Sequence, residues 1–181
     1  MTERKETELS QISFREIQFT DIKELARIES LAYPEDAEAI LGAQGIMGSL
    51  MLESHLRKSA QGDIPRSFLA EVDGQIAGFM LVMLNPGEGV REEHIGITQW
   101  VTAPQFRNVR LVKGMLTHLF SQGKDLPFVG QAREETTYKG LMQPGIQSWL
   151  RQQGFEVRDM HKPSEVQGDM RHPVRLQPIR K

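Results

Sequence analysis

The stretch Gln99-Trp100-Val101-Thr102-Ala103-Pro104-Gln105-Phe106-Arg107-Asn108-Val109-Arg110-Leu111-Val112-Lys113-Gly114-Met115-Leu116 decides how this chain folds. Its opening is extended and β-branched, and Ala103 precedes a proline, which pushes it into the extended region. Pro104 starts a short polar turn through Gln105 to Asn108. From Val109 the apolar residues take helical spacing at Val109, Val112, Leu116, Leu119 and Phe120. The pattern predicts a strand, a tight turn and a helix whose beginning carries Arg107, Arg110 and Lys113. The leading N–H groups of a helix have no partner inside it and the dipole there is positive, so this end suits a phosphate-bearing ligand. A cationic surface turn without a ligand is the other reading of the same residues.

Around this segment, composition sets bounds. The 181 residues are 39% hydrophobic and 25% charged, as expected for one α/β domain with a proper core. A net charge of −2 gives no global field for nucleic acid, so an anion site has to be local. No cysteine is present. That excludes disulfides, thiolate metal ligands and a cysteine acyl-enzyme, and it fits a reducing cytoplasm. The five histidines do not pair with carboxylates at ligand spacing, which argues against a metal site. Residues 1–11 read as a polar, flexible tail, residues 12–177 as the domain, and residues 178–181 as a basic tail. No apolar run is long enough for a membrane span.

The remaining chain divides readily. Ile12 to Ile17 is a strand candidate. Thr20 and Asp21 cap a helix, with Glu24 completing a capping box, an apolar face of Ile22, Leu25, Ile28 and Leu31, and Pro34 as its stop. Residues 35–58 form a second helical region interrupted by glycines. Ser67–Val72 and Gln75–Leu84 flank Asp73-Gly74, a strong hairpin signal. The second of these strands is nearly all apolar, hence buried on both faces. A fourth strand spans Glu93–Thr102, a third helix Val109–Gln122 and a fifth strand Pro127–Ala132. A last helix runs from Pro144 to Gly154, followed by a strand opening at Phe155 and another over Arg171–Gln177.

This order, with Thr102-Ala103-Pro104-Gln105-Phe106-Arg107 at its centre and Ser148-Trp149-Leu150-Arg151-Gln152-Gln153-Gly154-Phe155 near its end, resembles the GNAT superfamily of acetyl-CoA-dependent N-acetyltransferases. The resemblance implies a mixed, mostly antiparallel sheet of six or seven strands, flanked by about four helices, with strands four and five splayed apart. It implies acetyl-CoA as co-substrate, its pantetheine along the backbone of Trp100, Val101 and Thr102. Its pyrophosphate would lie at the turn formed by Arg107, Asn108, Val109, Arg110, Leu111 and Val112. The two small residues of the family turn fall here on Arg110 and Val112. Gln143 stands where the family often has an asparagine that touches the pantetheine.

The resemblance also implies direct attack by an acceptor amine, whether on a small molecule, a peptide N-terminus or a lysine side chain. An amine with pKa about 10.4 is almost wholly protonated at neutral pH, so a base is useful. Glu93 is the first candidate and Glu134 the second, each otherwise a solvated edge carboxylate. The family's tyrosine acid is replaced by Leu150, and Tyr138 is a candidate substitute, or else a packing residue. Two other readings stand beside this one: a non-catalytic binding or structural member of the fold, and an acyl- or aminoacyl-transferring relative with another donor. Neither nucleic acid nor membrane is an expected partner, and the oligomeric state, a homodimer included, is open.

Overall fold

The computed structural model describes residues 11–34, 39–59, 64–85, 92–123, 125–133, 137–160, 162–166 and 169–179. Residues 1–10, Glu134, Arg180 and Lys181 lie outside them, and with them the tail expectations and the second candidate base. The elements are β1 (Ile12–Glu16), α1 (Ile22–Ala32), α2 (Ala39–Ser59), β2 (Phe68–Val72), β3 (Gln75–Asn85), β4 (His94–Thr102), α3 (Val109–Ser121), β5 (Phe128–Arg133), α4 (Lys139–Leu141), α5 (Pro144–Gln152), β6 (Phe155–Asp159), β7 (Ser164–Val166) and β8 (Asp169–Pro178).

These strands make one eight-stranded sheet in the order β1-β2-β3-β4-β5-β8-β6, with β7 paired to β8. Every pair is antiparallel except β4 with β5, which α3 connects as a crossover. Two pieces exceed the sequence expectation. Ser164–Val166 folds back on Asp169–Arg171, and Lys139–Leu141 forms a short helical turn. Both are too brief to show a period.

The apolar faces explain the layers. Leu111, Met115, Leu116, Leu119 and Phe120 of α3, with Ile146 and Leu150 of α5, pack with Met80, Val82, Ile95, Phe128 and Leu176 in one cluster. A second cluster joins Leu25 and Ile28 of α1 and Ile46 and Leu50 of α2 to Leu69, Phe79, Leu81 and Val101. β3 therefore contributes to both clusters, as its continuous apolar run implies. Asp73 (φ 50°) and Gly74 (φ 78°) form the expected tight hairpin, and Gly154 (φ 87°) takes the left-handed position just past α5.

The start of α1 departs from its sequence signal. A 3-10 turn, Phe19–Asp21, precedes the helix, and the Asp21 carboxylate accepts from Gln18 N–H at 2.7 Å. Arg15 also donates to Asp21, at 2.8 and 2.9 Å. Glu24 pairs instead with Arg27 on the exposed helix surface. The capping box thus forms one turn earlier than Thr20-Asp21 implies, because the guanidinium and the turn both recruit the same carboxylate.

Candidate active site

The site begins with a bulge. β3 pairs Val82 with Ile97 but Leu81 with Gln99, so Thr98 is an extra residue on β4, and its hydroxyl donates to the Leu81 carbonyl at 3.1 Å. A bulge bends its strand and reverses which way successive backbone groups point. Before it, Ile95 N–H bonds the Pro127 carbonyl at 2.9 Å, and a Cβ on Gly130 would lie 3.2 Å from the Ile97 carbonyl oxygen. These odd-numbered residues face β5. After it, a Cβ on Gly78 would lie 2.6 Å from the Val101 carbonyl oxygen, and Ala103 N–H bonds Ala77. Odd-numbered residues now face β3. Alternation leaves the backbone groups of Trp100 and Thr102 directed at β5's side.

Among the described residues they meet no strand there. β4 and β5 pair only through Ile95–Phe128, Gly96–Val129 and Ile97–Gly130, while β5 continues along β8 to Arg133. The strands fork. Of the three residues expected to lie along a ligand, Trp100 and Thr102 direct their backbone into the fork and Val101 directs its own to β3.

Two hollows meet in this fork. The first, of about 340 Å³, is lined by Glu29, Tyr33, Gln99, Trp100, Arg133 and Arg171 among others. The second, of about 310 Å³, reaches Thr102, Arg107, Asn108 and Val112 at the start of α3. Tyr33, Trp100, Thr137 and Leu141 line both.

At the α3 end the backbone is unstrained. Among the described residues no left-handed φ occurs between Pro104 and Val112, so the conformation of the turn does not demand glycine. Asn108 is the N-cap, its Oδ1 accepting from Leu111 N–H at 2.8 Å, while its carbonyl accepts from Val112 N–H at 3.2 Å. With those two amides used inside the protein, Val109 and Arg110 supply the leading N–H groups of the helix. Arg110 is exposed, and Val112 forms part of the hollow's wall. Arg107 donates to the Ala32 carbonyl at 3.1 Å and lies 6.0 Å from the Tyr33 ring centre. Lys113 faces the Trp149 ring at 5.5 Å. The three cations therefore do different things, and Arg107 ties α1 to the turn.

The remaining candidates fall elsewhere. Glu93 is exposed and lines a separate hollow with Asp125, Pro127 and Gln177, five residues and roughly 16 Å of strand before the bulge. The Tyr138 hydroxyl donates to Asp159 at 3.0 Å and its ring stacks on His172 at 3.7 Å. Gln143 caps α5 with its carbonyl, bonding Ile146 and Gln147 N–H at 3.0 Å each, and its exposed side chain is outside both hollows. None of the three lines the fork.

A different carboxylate does. Glu29 on α1 is half-buried, with Gln99 Nε2 donating to Oε1 and Oε2 buried without a hydrogen-bond partner among the described residues. Burial pushes its carboxyl above the usual range, against an opposing pull from Arg133. That guanidinium stacks on Tyr33 at 3.8 Å. The sequence signal was slight: an acidic residue bordering the apolar stripe of Leu25, Ile28 and Ala32.

The acetyltransferase (GNAT) family model matches residues 24–138, well over half of the chain and including the whole fork. The chain belongs to the GNAT acetyltransferase family. It is accordingly an acyltransferase. Solved structures share the GNAT fold across nearly the full chain. A protein of Pyrococcus horikoshii is 15% identical with a TM-score of 0.60, covering 93% of this chain and 98% of its own. Diaminobutyrate acetyltransferase from Paenibacillus lautus, solved with L-2,4-diaminobutyric acid and coenzyme A, is 16% identical with a TM-score of 0.59, covering 95% and 98%. The ribosomal-protein-S18-alanine N-acetyltransferase of Escherichia coli is 15% identical with a TM-score of 0.53, covering 93% and 94%. No curated protein sequence matches this GNAT chain.

Proposed function

We propose that this enzyme transfers the acetyl group of acetyl-CoA to a primary amine within a ternary complex. The observation that carries the reading is the fork, where two adjoining hollows meet at the open edge of β4. The residues fit the donor. Trp100 and Thr102 offer unpaired backbone to an extended pantetheine arm, and the Val109 and Arg110 amides, with the Arg110 guanidinium, would hold the pyrophosphate. Acetyl-CoA bound there supplies an activated acetyl thioester.

The chain's own groups then position and polarise. A backbone N–H on the open edge of β4 stabilises charge on the acetyl oxygen, a role that requires no particular side chain. Without cysteine there is no thiol to carry the acetyl group, which favours direct transfer and also fits a cytoplasmic location. The amine nitrogen gains the acetyl group and CoA leaves as its thiol. The Paenibacillus lautus enzyme has a small diamino acid as its substrate and the Escherichia coli enzyme a protein alanine, so the amine is the feature carried over here.

Calorimetry with acetyl-CoA, paired with thiol release in the presence of small amines and lysine peptides, tests this. Binding with amine-dependent thiol release is expected. Absence of binding by the wild-type protein would replace this reading with a non-catalytic one, and preference for longer acyl donors would reassign the donor.

A further inference from the structure

Among the described residues, four titratable side chains line the first hollow: Glu29 from α1, Tyr33 at the end of α1, Arg133 from β5 and Arg171 from β8. A guanidinium has no acceptor atom, whereas an ionised carboxylate can take up a proton. Glu29 is the group among them that can accept one. Its carboxylate is seated rather than loose. Gln99, on β4 one residue beyond the bulge, bonds Oε1 from 70 residues away in sequence. On the other side α2 passes close, and a Cβ on Gly42 would lie 2.8 Å from Oε2. Glycine at that position leaves the space in which the carboxylate sits.

Building on the transferase reading, we propose that Glu29 is the catalytic base that receives the acceptor amine, with Gln99 holding the carboxylate and Gly42 making room for it. The acceptor enters as an ammonium group, and the carboxylate takes one of its protons. The freed nitrogen lone pair then forms the bond to the acetyl carbon as the carbon–sulfur bond breaks. A second N–H proton finishes on the CoA sulfur, and Glu29 returns its own to solvent. Burial raises the Glu29 carboxyl, bringing it nearer to neutrality and improving its match to an amine. Among the described residues, the charged groups facing it are Arg133 directly and Arg171 across the hollow, while Arg107 approaches through Tyr33.

Two probe amines separate this role from a structural one. n-Butylamine, with a pKa near that of a lysine side chain at about 10.4, needs a base at neutral pH. Hydroxylamine is already largely neutral there. Glu29→Gln in the full chain should slow transfer to n-butylamine about a hundredfold or more, the usual range for a lost acid–base group. Transfer to hydroxylamine should change little, and acetyl-CoA affinity not at all. Gly42→Ala should reproduce the pattern more weakly by displacing the carboxylate. Gly45→Ala, whose Cβ would meet nothing within 4 Å, should behave as wild type.

Equal slowing with both amines, or none with either, overturns the role of Glu29 while leaving the transferase reading intact. Wild-type protein that fails to bind acetyl-CoA overturns both. If wild type acetylates neither probe, carbon-13 titration of the Glu29 carboxyl decides. A resonance that titrates high and shifts on adding n-butylamine supports the proposal, and one unmoved by the amine overturns it.

Discussion

The two hollows share a wall but recognise by different means. In the one against α1 and β5, the polar groups are side chains: Glu29, Gln99, Arg133 and Arg171. The one at α3 is lined by Trp100 and Thr102 of the open edge of β4, by the helix N-cap Asn108 and by Arg107, and the leading amides of the helix lie next to it in sequence. Backbone recognition tolerates sequence change, because any residue supplies an N–H. Side-chain recognition does not. On the proposed reading, the cofactor turn can carry Arg110 and Val112 in place of small residues without backbone strain, whereas the acceptor end would depend on the Glu29 carboxylate.

Substitutions that act on one hollow and spare the other test the contrast. Val112→Glu puts a negative charge in the wall of the α3 hollow and should weaken acetyl-CoA binding by about a hundredfold or more, near 2.7 kcal/mol. Calorimetry reads it, and unchanged affinity would mean that phosphate does not approach this wall. Arg110→Ala removes a charge-assisted contact typically worth about 1.5–3 kcal/mol, so a roughly ten- to hundredfold rise in Kd is expected. A pantetheine fragment lacking the pyrophosphate should not register it.

Asn108→Ala probes the helix end itself. The lost cap should lower stability by about 1 kcal/mol, measured by denaturant unfolding, while freeing the Leu111 amide. Acetyl-CoA affinity should change less than in Arg110→Ala.

The smallest expected effect concerns stability near Glu29. Its carboxyl is raised in the folded protein by burial. A raised acid favours folding when protonated, so that contribution is present below its unfolded value and is lost as pH rises through the folded one. Glu29→Gln should therefore be slightly more stable than wild type at neutral pH, with the difference vanishing in acid. In parallel, turnover of wild type should fall as pH drops through the raised value, while acetyl-CoA affinity stays level. A destabilised Glu29→Gln would show that the carboxylate serves the fold rather than the reaction.

The α3 end was legible because its signals are local. Pro104 limits Ala103, the spacing from Val109 onward declares a helix, and Asn108 caps it within three residues. Glu93 is a base candidate by its position in the fold that the resemblance implies, at the start of strand four. That position does not reveal that the fork opens only after Ile97, leaving Glu93 at the strand's other end. Tyr138 was legible as an available phenol, but Asp159 and His172, which engage it, arrive from β6 and β8. The sequence places a carboxylate, Asp21, at a helix start, but its side chain does not cap α1 and accepts from Gln18 N–H instead. Arg15 then redirected it from a neighbouring strand.

The order of the longer elements, the hairpin at Asp73-Gly74, the β4–turn–α3 unit and the family resemblance follow from the amino-acid order alone, whereas β7 and α4 do not. Steric limits on φ and ψ and side-chain periodicity act across a few residues and leave their mark in the chain. The fork, the outward turn of Trp100 and Thr102, and the seating of Glu29 between Gln99 and Gly42 came only with tertiary structure. Each depends on which strand or helix lies alongside. The extra residue at Thr98 is a bulge only because β3 pairs on either side of it, and Glu29 is desolvated only because α2 and β4 close around it.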